Sequence, residues 1–504
     1  MDSSAKSIPD GKNASTDAES SPTSLEQTGT EPTGTPKKAK KDRHLYQIDF
    51  VRLVTFAGVV LDHVILAMAT SADIIAQGIG MMLRYTRYCF FALTGFVLTF
   101  QYRNRDLHAP TFWRRRYKLI GLPFVTWSLF YWVYNRYKGG GIDDLKAIVD
   151  STASIRTALK SIAYDLITGH AAYHLYFLSV SMQIYLVFPA VLWVLKRTWG
   201  YHRYLLAASL VFHVWLLYHM VRPPLDFFTH GLQSVVWRYL AVTILPYQFF
   251  VLAGCLAAFH FEAFSAFMKR WRWPLLGVSV VSIIVTWVYY GFKVQWNNPV
   301  INWVASVIDT IFNTDPMHPG SPPEDVFRAT NVFMVHNAFM FVGIIVILYI
   351  GGTVWQARRN PGSLADTLMS KAADRSFAIY LAHVLALSSI MPTIHAEAES
   401  IPLGWRILIT YLLTCFTTLF LVEILRLSPI SLITTGRNRL DWRKQNPAKQ
   451  AGVAALVIVG GLLLRYLDQP HLGKLLIAAS ALLLVSAAVV AYKQFKDTDA
   501  PVAD

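Results

Sequence analysis

The sequence has little charge and little cysteine for its length. Only 15% of its 504 residues are Asp, Glu, Lys or Arg and 54% are hydrophobic, whereas soluble proteins carry roughly 25% charged residues. The three cysteines, Cys89, Cys255 and Cys415, all fall within apolar stretches. Their spacing predicts neither a disulfide framework nor a thiolate metal site. These deficits exclude a soluble globular protein, and we expect no bound metal.

The hydrophobic residues form continuous runs of about 20, which is long enough to cross a hydrocarbon core. Outer-membrane barrels alternate polar and apolar residues in segments of roughly 10, so these runs predict helices. The fold class is therefore an all-α, polytopic transmembrane helical bundle of about twelve spans. The predicted spans cover about 48–70, 80–102, 117–135, 173–195, 203–221, 239–260, 274–291, 331–353, 376–393, 405–427, 451–467 and 473–492.

The net charge of +15 comes from short basic clusters that lie between the apolar runs. This distribution favours anionic membrane lipids over nucleic acid as the partner. If the N-terminus is cytoplasmic, Lys and Arg are about twice as frequent in the inner segments as in the outer ones, which predicts an N-in, C-in topology by the positive-inside rule. We expect a multi-pass protein of the cell (plasma) membrane.

The order of polar and apolar segments predicts five regions. They are a disordered, basic-ended cytoplasmic leader (1–46), a ten-span domain (47–427), a cytoplasmic basic linker (428–450), two extra transmembrane helices (451–492) and a cytoplasmic tail (493–504). No signal peptide is evident, because the first apolar run is of full length. Two outer segments, about 136–172 and 292–330, are predicted to be long loops.

The first span carries several ionisable residues, which are costly inside a membrane and therefore need a partner or a role. Arg52 and His63 are eleven positions apart, so they share one helix face at an axial separation of about 16 Å. Asp49 is close enough to pair with Arg52, and Asp62 adjoins His63. A structural alternative is that Arg52 reaches the interface and His63 bonds to another helix.

The functional interpretation gives both side chains a task. Arg52 would hold an anionic cofactor that enters from the cytosol, and the neutral imidazole of His63 would act at depth as a general base. In the ninth predicted span, Tyr380 and His383 recur on one face. These two residues, together with Asp49 and Asp62 of the first span, are possible residues of the site lining. Other polar residues in or near spans, whose partners the sequence does not identify, are Arg84, Arg87, His174, Asn337 and Glu423.

Five segments resemble acyltransferase family 3, integral membrane proteins that transfer acyl groups from acyl-coenzyme A to sugars, lipids and antibiotics. DFVRLVTFAGVVLDHV has the spacing of Arg and His found in the first span of that family. The other segments follow in the family's order over about residues 47–427, and Thr94 stands where Ser is usual. They are FFALTGFVLTF, FWRRRYKLIGLPFVTW, HLYFLSVSMQIYLVFPAVL and SFAIYLAHVL.

This resemblance implies an enzyme that uses acyl-coenzyme A, most simply acetyl-coenzyme A, as the donor substrate. It implies that His63 and Arg52 are catalytic, and that the acceptor is a hydroxyl of an envelope glycan, a glycolipid or another extracytoplasmic compound. The basic stretch at the mouth of the third span both directs topology and suits phosphate binding. Its members are Arg114, Arg115, Arg116 and Lys118.

The sequence also allows a second class of function. A secondary transporter or flippase would use Arg52, Asp62, His63 and Glu423 as a relay for protons or substrate, and twelve spans with both termini inside suit it equally well. The sequence has no visible internal repeat, which argues against a transporter built from inverted halves.

Overall fold

The structure is a computed structural model that describes residues 44–312, 326–398, 400–437 and 442–498. Within these ranges the chain forms α-helices joined by short turns and has no strand, so the all-α prediction is confirmed for the described residues. Nearly all of the predicted leader and half of the predicted tail lie outside the described residues. The helices are α1 (Tyr46–Met68), α2 (Ile74–Leu83), α3 (Tyr85–Tyr102), α4 (Ala109–Arg116), α5 (Leu122–Lys146), α6 (Thr152–Thr168), α7 (Tyr176–Arg197), α8 (His202–Met220), α9 (Gly231–Arg238), α10 (Gln248–Phe259), α11 (Phe261–Arg270), α12 (Arg272–Lys293), α13 (Pro299–Phe312), α14 (Val326–Ala329), α15 (Val335–Arg358), α16 (Leu364–Glu397), α17 (Leu403–Leu427), α18 (Ser431–Thr435), α19 (Pro447–Tyr466) and α20 (Pro470–Thr498).

Eight of the described helices are long and apolar enough to cross a membrane: α1, α7, α12, α15, α16, α17, α19 and α20. A ninth span results if the pair Leu245–Phe259 and Phe261–Arg270, bent by 97°, counts as one. The predicted spans at 80–102, 117–135 and 203–221 correspond to α3, α5 and α8. The chain is therefore a multi-pass helical membrane protein, while the count of twelve spans and the orientation stay predictions.

Both segments predicted to be long loops contain helices. The first includes α6, whose N-cap residue Ser151 accepts a hydrogen bond from the backbone N–H of Ser154, and which ends at Gly169 with φ of +76°. Such a left-handed glycine is a common helix terminator. The second includes α13. Residues 313–325 lie outside the described residues, and much of the rest of both connections is helical.

Helix α1 is central to the bundle, since it contacts α2, α3, α15, α16 and α17. Its first turn approaches α15 so closely that a Cβ added to Gly352 would lie 2.6 Å from the carbonyl oxygen of Gln47. Glycines also bring α3 and α10 together, because a Cβ on Gly254 would lie 2.0 Å from the carbonyl oxygen of Ala92. The first contact holds α1, which carries the polar residues of the first span, against α15, and the second holds α3 against α10.

The two predicted C-terminal helices are present as α19 and α20. They pack against each other, and α20 also contacts α16 and α17. The hydroxyl of Ser486 donates to the carbonyl oxygen of Leu427, and Leu483 is buried in an apolar cluster with Leu421 and Ile424 of α17. We call the end of the bundle where α1 begins, near Asp49 and Arg52, the proximal end. The end near His63 and Met68 is the distal end.

Candidate active site

A cavity of about 440 Å³ opens at the distal end of the bundle. This volume is within the range of small-molecule sites, about 300–1,000 Å³. His63 and Asp62 of α1 line the cavity together with residues of α3, α7 and α16 and of the two connections that precede α7 and α15. The polar residues among them are Asp62, His63, Arg84, Thr86, Arg87, Tyr173, His174, Tyr176, Asn331 and Tyr380.

Two imidazoles form a hydrogen-bonded pair, of which His63 lines this cavity and His383 is buried behind it. The Nδ1 atom of His63 lies 2.7 Å from the Nε2 atom of His383, and the two rings stack with their planes 10° apart. The Nδ1 atom of His383 lies 2.7 Å from the carbonyl oxygen of Tyr380. The side chain of His383 is fully buried, so its contacts are set by the protein.

These contacts assign the tautomers of both rings when the rings are neutral. A carbonyl oxygen only accepts, so Nδ1 of His383 carries the proton and its Nε2 is left as an acceptor. Nδ1 of His63 must then donate to that acceptor, and Nε2 of His63 keeps a free lone pair. Among the described residues no side chain or backbone group pairs with this Nε2 atom. The arrangement is that of a general base oriented by a second group.

Tyrosine hydroxyls fix the turn of α16 that carries His383. The hydroxyl of Tyr131, on α5, donates to the carbonyl oxygen of Leu381 at 3.0 Å and accepts from the N–H of Leu385 at 3.2 Å. The hydroxyl of Tyr380 donates to the carbonyl oxygen of His174. Helices α5 and α16 and the connection before α7 are therefore locked together around the imidazole pair.

His174 lies in the connection before α7 and lines the same cavity. Its ring packs edge-on against His383, with ring centroids 5.1 Å apart. It is 2% exposed, and among the residues that the structure describes neither of its ring nitrogens makes a hydrogen bond of normal geometry. Burial lowers the pKa of His174 well below its usual range, so its imidazole is neutral at physiological pH. A neutral, unpaired imidazole in the wall can bind a ligand group.

The predicted pairing of Arg52 with Asp49 is present at the proximal end, where their charged groups are 3.6 Å apart. Arg52 is 31% exposed and Asp49 is 15% exposed. Arg52 is not among the residues that line the cavity around His63. The structure thus places the guanidinium and the imidazole near opposite ends of α1, as their spacing requires. Of the ionisable residues in the first span, Asp62 and His63 line the cavity, whereas Asp49 and Arg52 do not.

The basic stretch before α5 docks on α7 through two aromatic residues. The indole N–H of Trp113 donates to the carbonyl oxygen of Tyr185 at 3.0 Å. The hydroxyl of Tyr117 donates to the carbonyl oxygen of Met182, also at 3.0 Å. Tyr117 begins a π-helical turn, Tyr117–Gly121, which joins α4 to α5. Turns of this kind are frequent at functional sites.

The four predicted phosphate-binding residues of this stretch differ in their surroundings. Arg116 is half-buried and donates to the side-chain oxygen of Gln101 at 2.7 Å. Arg114, Arg115 and Lys118 are exposed. Tyr185 interacts electrostatically with both Arg116 and Arg52. Arg116 is therefore the member of the stretch that faces the region of Arg52.

A further arginine approaches Arg52 from beyond the tenth predicted span. Arg437 interacts electrostatically with Arg52 and forms an ion pair with Asp374 of α16. It follows Gly436, whose left-handed φ of +71° ends the short helix α18. We call Arg52, Arg116 and Arg437 the proximal arginine cluster. Arginine is suited to phosphate because its planar fork donates two parallel hydrogen bonds.

The sequence predicted His63 as a catalytic residue and Asp49, Asp62, Tyr380 and His383 as possible lining residues. In the structure Asp62, His63 and Tyr380 line one cavity, whereas Asp49 is not among its lining residues. His383 is bonded to His63 but does not itself line the cavity. Sequence reasoning did not identify Tyr173, whose ring lies 4.8 Å from that of His63, or the segment 331–333. Arg84, Arg87 and His174 were visible as polar residues near spans, but nothing in the sequence joined them to His63. In the described part of the chain there is no group of three or more His, Cys, Asp or Glu residues arranged to hold a metal ion.

The profile of an acyltransferase domain matches residues 45–427 of the chain. This match covers α1 to α17 and includes both imidazoles of the pair, whereas α19 and α20 lie beyond it. Neither a curated protein nor a solved structure matches the chain.

Proposed function

The chain belongs to acyltransferase family 3, and from this premise we propose that it is a membrane O-acyltransferase with acyl-coenzyme A as its donor. The acyl group is most simply acetyl. The acceptor is a hydroxyl of an envelope glycan, a glycolipid or another extracytoplasmic compound. The observation that carries the proposal is the imidazole pair in which His63 lines the distal cavity and His383 is bonded to it.

His63 is the general base in this proposal. Its free Nε2 lone pair takes the proton from the acceptor hydroxyl as the oxygen forms a bond to the thioester carbonyl carbon. The carbon–sulfur bond then breaks, and the protonated His63 returns the proton to the departing thiolate. The proton balance closes within one turnover. General-base catalysis of this kind contributes about 10²- to 10⁴-fold to a rate.

His383 is a positioning residue in this scheme. It accepts the Nδ1–H of His63 and thereby keeps the lone pair of His63 on Nε2. It also stabilises the imidazolium that forms when His63 takes a proton. The backbone carbonyl of Tyr380 plays the orienting role for His383. A carboxylate orients the histidine in many hydrolases, and here a second imidazole does so within an apolar bundle.

The proximal arginine cluster binds the phosphates of the donor in this proposal. Arg52 and Arg116 lie at the proximal end with half-buried guanidinium groups, and Arg437 adds a third cation. Along α1, Arg52 and His63 are separated by about 16 Å. The extended thiol arm of the coenzyme would run along α1 over that distance, so that the thioester reaches the level of His63. The acceptor would enter through the distal cavity, from the opposite face.

Reconstitution tests this function. The full chain is placed in sealed lipid vesicles with radiolabelled acetyl-coenzyme A on one side and an extract of envelope lipids and glycans on the other. We expect label in the extract, formed in proportion to the free coenzyme A released. If acetyl-coenzyme A is not consumed, and a solute crosses the vesicle membrane when no acetyl-coenzyme A is present, the protein is instead a transporter.

Comparison of envelope lipids and glycans from cells with and without the gene would then identify the acceptor. We expect one class of molecule to lose a mass increment equal to a single acyl group. The size of the increment names the acyl group and the molecule that loses it names the acceptor.

A further inference from the structure

Three charged side chains line the distal cavity beside His63. They are Asp62 of α1, Arg87 of α3 and Arg84 at the junction of α2 and α3. Ionisable groups within a membrane bundle are costly, and they are commonly placed where they meet each other or a ligand. Among the described residues, two cations and one carboxylate leave the cavity wall with an excess of positive charge.

The contacts of the two arginines do not balance this charge. Arg84 donates to the backbone carbonyl oxygen of Thr330, and the guanidinium carbon of Arg87 lies 5.0 Å from the centre of the Tyr176 ring. In the described ranges of the chain, neither arginine has a carboxylate within 4.0 Å, Asp62 included. A carbonyl dipole and an aromatic face are weaker partners for a guanidinium than an anion.

A second observation in the same wall also points to a ligand. His174 is 2% exposed and lines the cavity, yet within the described residues neither ring nitrogen makes a hydrogen bond of normal geometry, and its polar neighbour is the backbone of Leu381. Buried polar groups are hydrogen-bonded in the large majority of cases, and an exception calls for an explanation such as an absent ligand. His174 can donate one ring N–H to an oxygen atom that Arg84 and Arg87 also contact.

We infer that the acceptor carries an anionic group, a carboxylate or a phosphate, which Arg84 and Arg87 bind in the distal cavity beside His63. The inference rests on the proposed function for the statement that the ligand is the acceptor. The planar guanidinium groups bind the anionic oxygens, and Asp62 on the same wall repels a second negative charge. A hydroxyl on a neighbouring carbon of the acceptor then faces Nε2 of His63.

Binding of three matched probes tests the inference without any turnover. Glycerol, glycerate and glycerol 3-phosphate share a carbon skeleton and hydroxyls but are neutral, carboxylated and phosphorylated respectively. Equilibrium dialysis of the radiolabelled probes against the full chain in detergent gives their affinities in the absence of acetyl-coenzyme A. We expect at least one anionic probe to bind about tenfold or more tightly than glycerol, which corresponds to about 1.4 kcal/mol. The tighter of the two distinguishes carboxylate from phosphate.

Variants locate the binding site. Arg87→Gln and Arg84→Gln should each remove most of the preference for the anionic probe, and Arg87→Lys should retain part of it because the charge remains. Arg156→Gln is the matched control, since Arg156 is an exposed arginine of α6 outside the cavity. His63→Ala removes the partner of the hydroxyl but should keep the preference for the anionic probe over glycerol, which separates this inference from the catalytic proposal.

Equal affinity of the unaltered protein for all three probes would overturn the inference, even if acetyl transfer is observed. So would an unchanged anion preference in folded Arg87→Gln and Arg84→Gln proteins, because the arginines would then have only a structural role. If the Gln variants fail to fold, Arg84→Lys and Arg87→Lys, which keep the charge, take their place, and an undiminished anion preference in both would likewise overturn the inference.

Discussion

His63 and His383 are 320 residues apart in sequence, yet their ring nitrogens are 2.7 Å apart. The contact joins the first helix of the bundle to α16, and it is the only described hydrogen bond that either imidazole makes to another side chain. The orientation of His63 therefore depends on how α1 packs against α16. We therefore expect substitutions that alter this pairing to change activity without contacting the substrate.

Loss of the second imidazole should slow turnover without weakening donor binding. We expect His383→Ala to lower kcat by about 10- to 100-fold, less than the roughly 10²- to 10⁴-fold contribution of general-base catalysis itself, because His63 remains; the KM for acetyl-coenzyme A should be unchanged. His383→Gln should keep more activity, because an amide oxygen can also accept the Nδ1–H of His63. Steady-state kinetics of the purified variants measure both constants. A wild-type kcat in His383→Ala would exclude the positioning role.

Removal of a proximal arginine should affect only donors that carry the nucleotide phosphates. We expect Arg52→Gln to raise the KM for acetyl-coenzyme A by about tenfold, the order of one hydrogen bond to a charged group. It should leave S-acetylpantetheine, which lacks those phosphates, unaffected. Arg197→Gln is the control, because Arg197 is an exposed arginine at the C-terminal end of α7. Equal effects of Arg52→Gln on both donors would assign Arg52 a structural role.

The close crossing of α3 and α10 should tolerate no side chain at Gly254. A Cβ there would lie 2.0 Å from the carbonyl oxygen of Ala92, whereas one on Gly277 would meet nothing within 4 Å. We expect Gly254→Ala to lower the free energy of unfolding by about 1–3 kcal/mol, as overpacking does, and Gly277→Ala to be neutral or slightly stabilising. Thermal unfolding in detergent compares the two. Equal Tm values for both variants would refute the close contact.

The buried imidazole of His174 should make the fold sensitive to acid. Because burial lowers its pKa in the folded protein, the unfolded chain binds a proton at its usual pKa of about 6.5 while the folded chain does not. Stability contributed by the neutral ring is therefore present above about pH 6.5 and is lost as the pH falls below it, at no more than about 1.4 kcal/mol per pH unit. His174→Gln should show a smaller fall in Tm between pH 7 and 5. An identical pH dependence in the variant would contradict this.

The helical class of the fold was predictable because a run such as 48–70 is long and apolar enough to decide its own conformation in a membrane. The extra C-terminal helices were predictable for the same reason. Helix α6 was not, because it lies outside the apolar runs and its signals are local, namely the Ser151 cap and Gly169. Helix α13 is apolar, but at 14 residues it is too short to be predicted as a span.

The candidate site was predictable where residues of one helix share a face. Arg52 and His63 follow from spacing in the first span, and Tyr380 and His383 from spacing in α16. The pairing of the two imidazoles required the packing of α1 on α16, which no periodicity encodes. The same holds for Arg437, which reaches Arg52 only because α18 folds back onto α5. Contacts between distant segments depend on helix packing rather than on any local pattern.

The most direct measurement is acetyl transfer by His63→Ala in vesicles, compared with the unaltered protein and with His213→Ala. His213 is also a buried imidazole, 1% exposed, but it does not line the cavity. We expect His63→Ala to insert and to unfold at a similar temperature to the unaltered protein, and to lose at least 10²-fold in rate. His213→Ala should retain its rate. Full transfer activity in folded His63→Ala protein would contradict the assignment of His63 as the base.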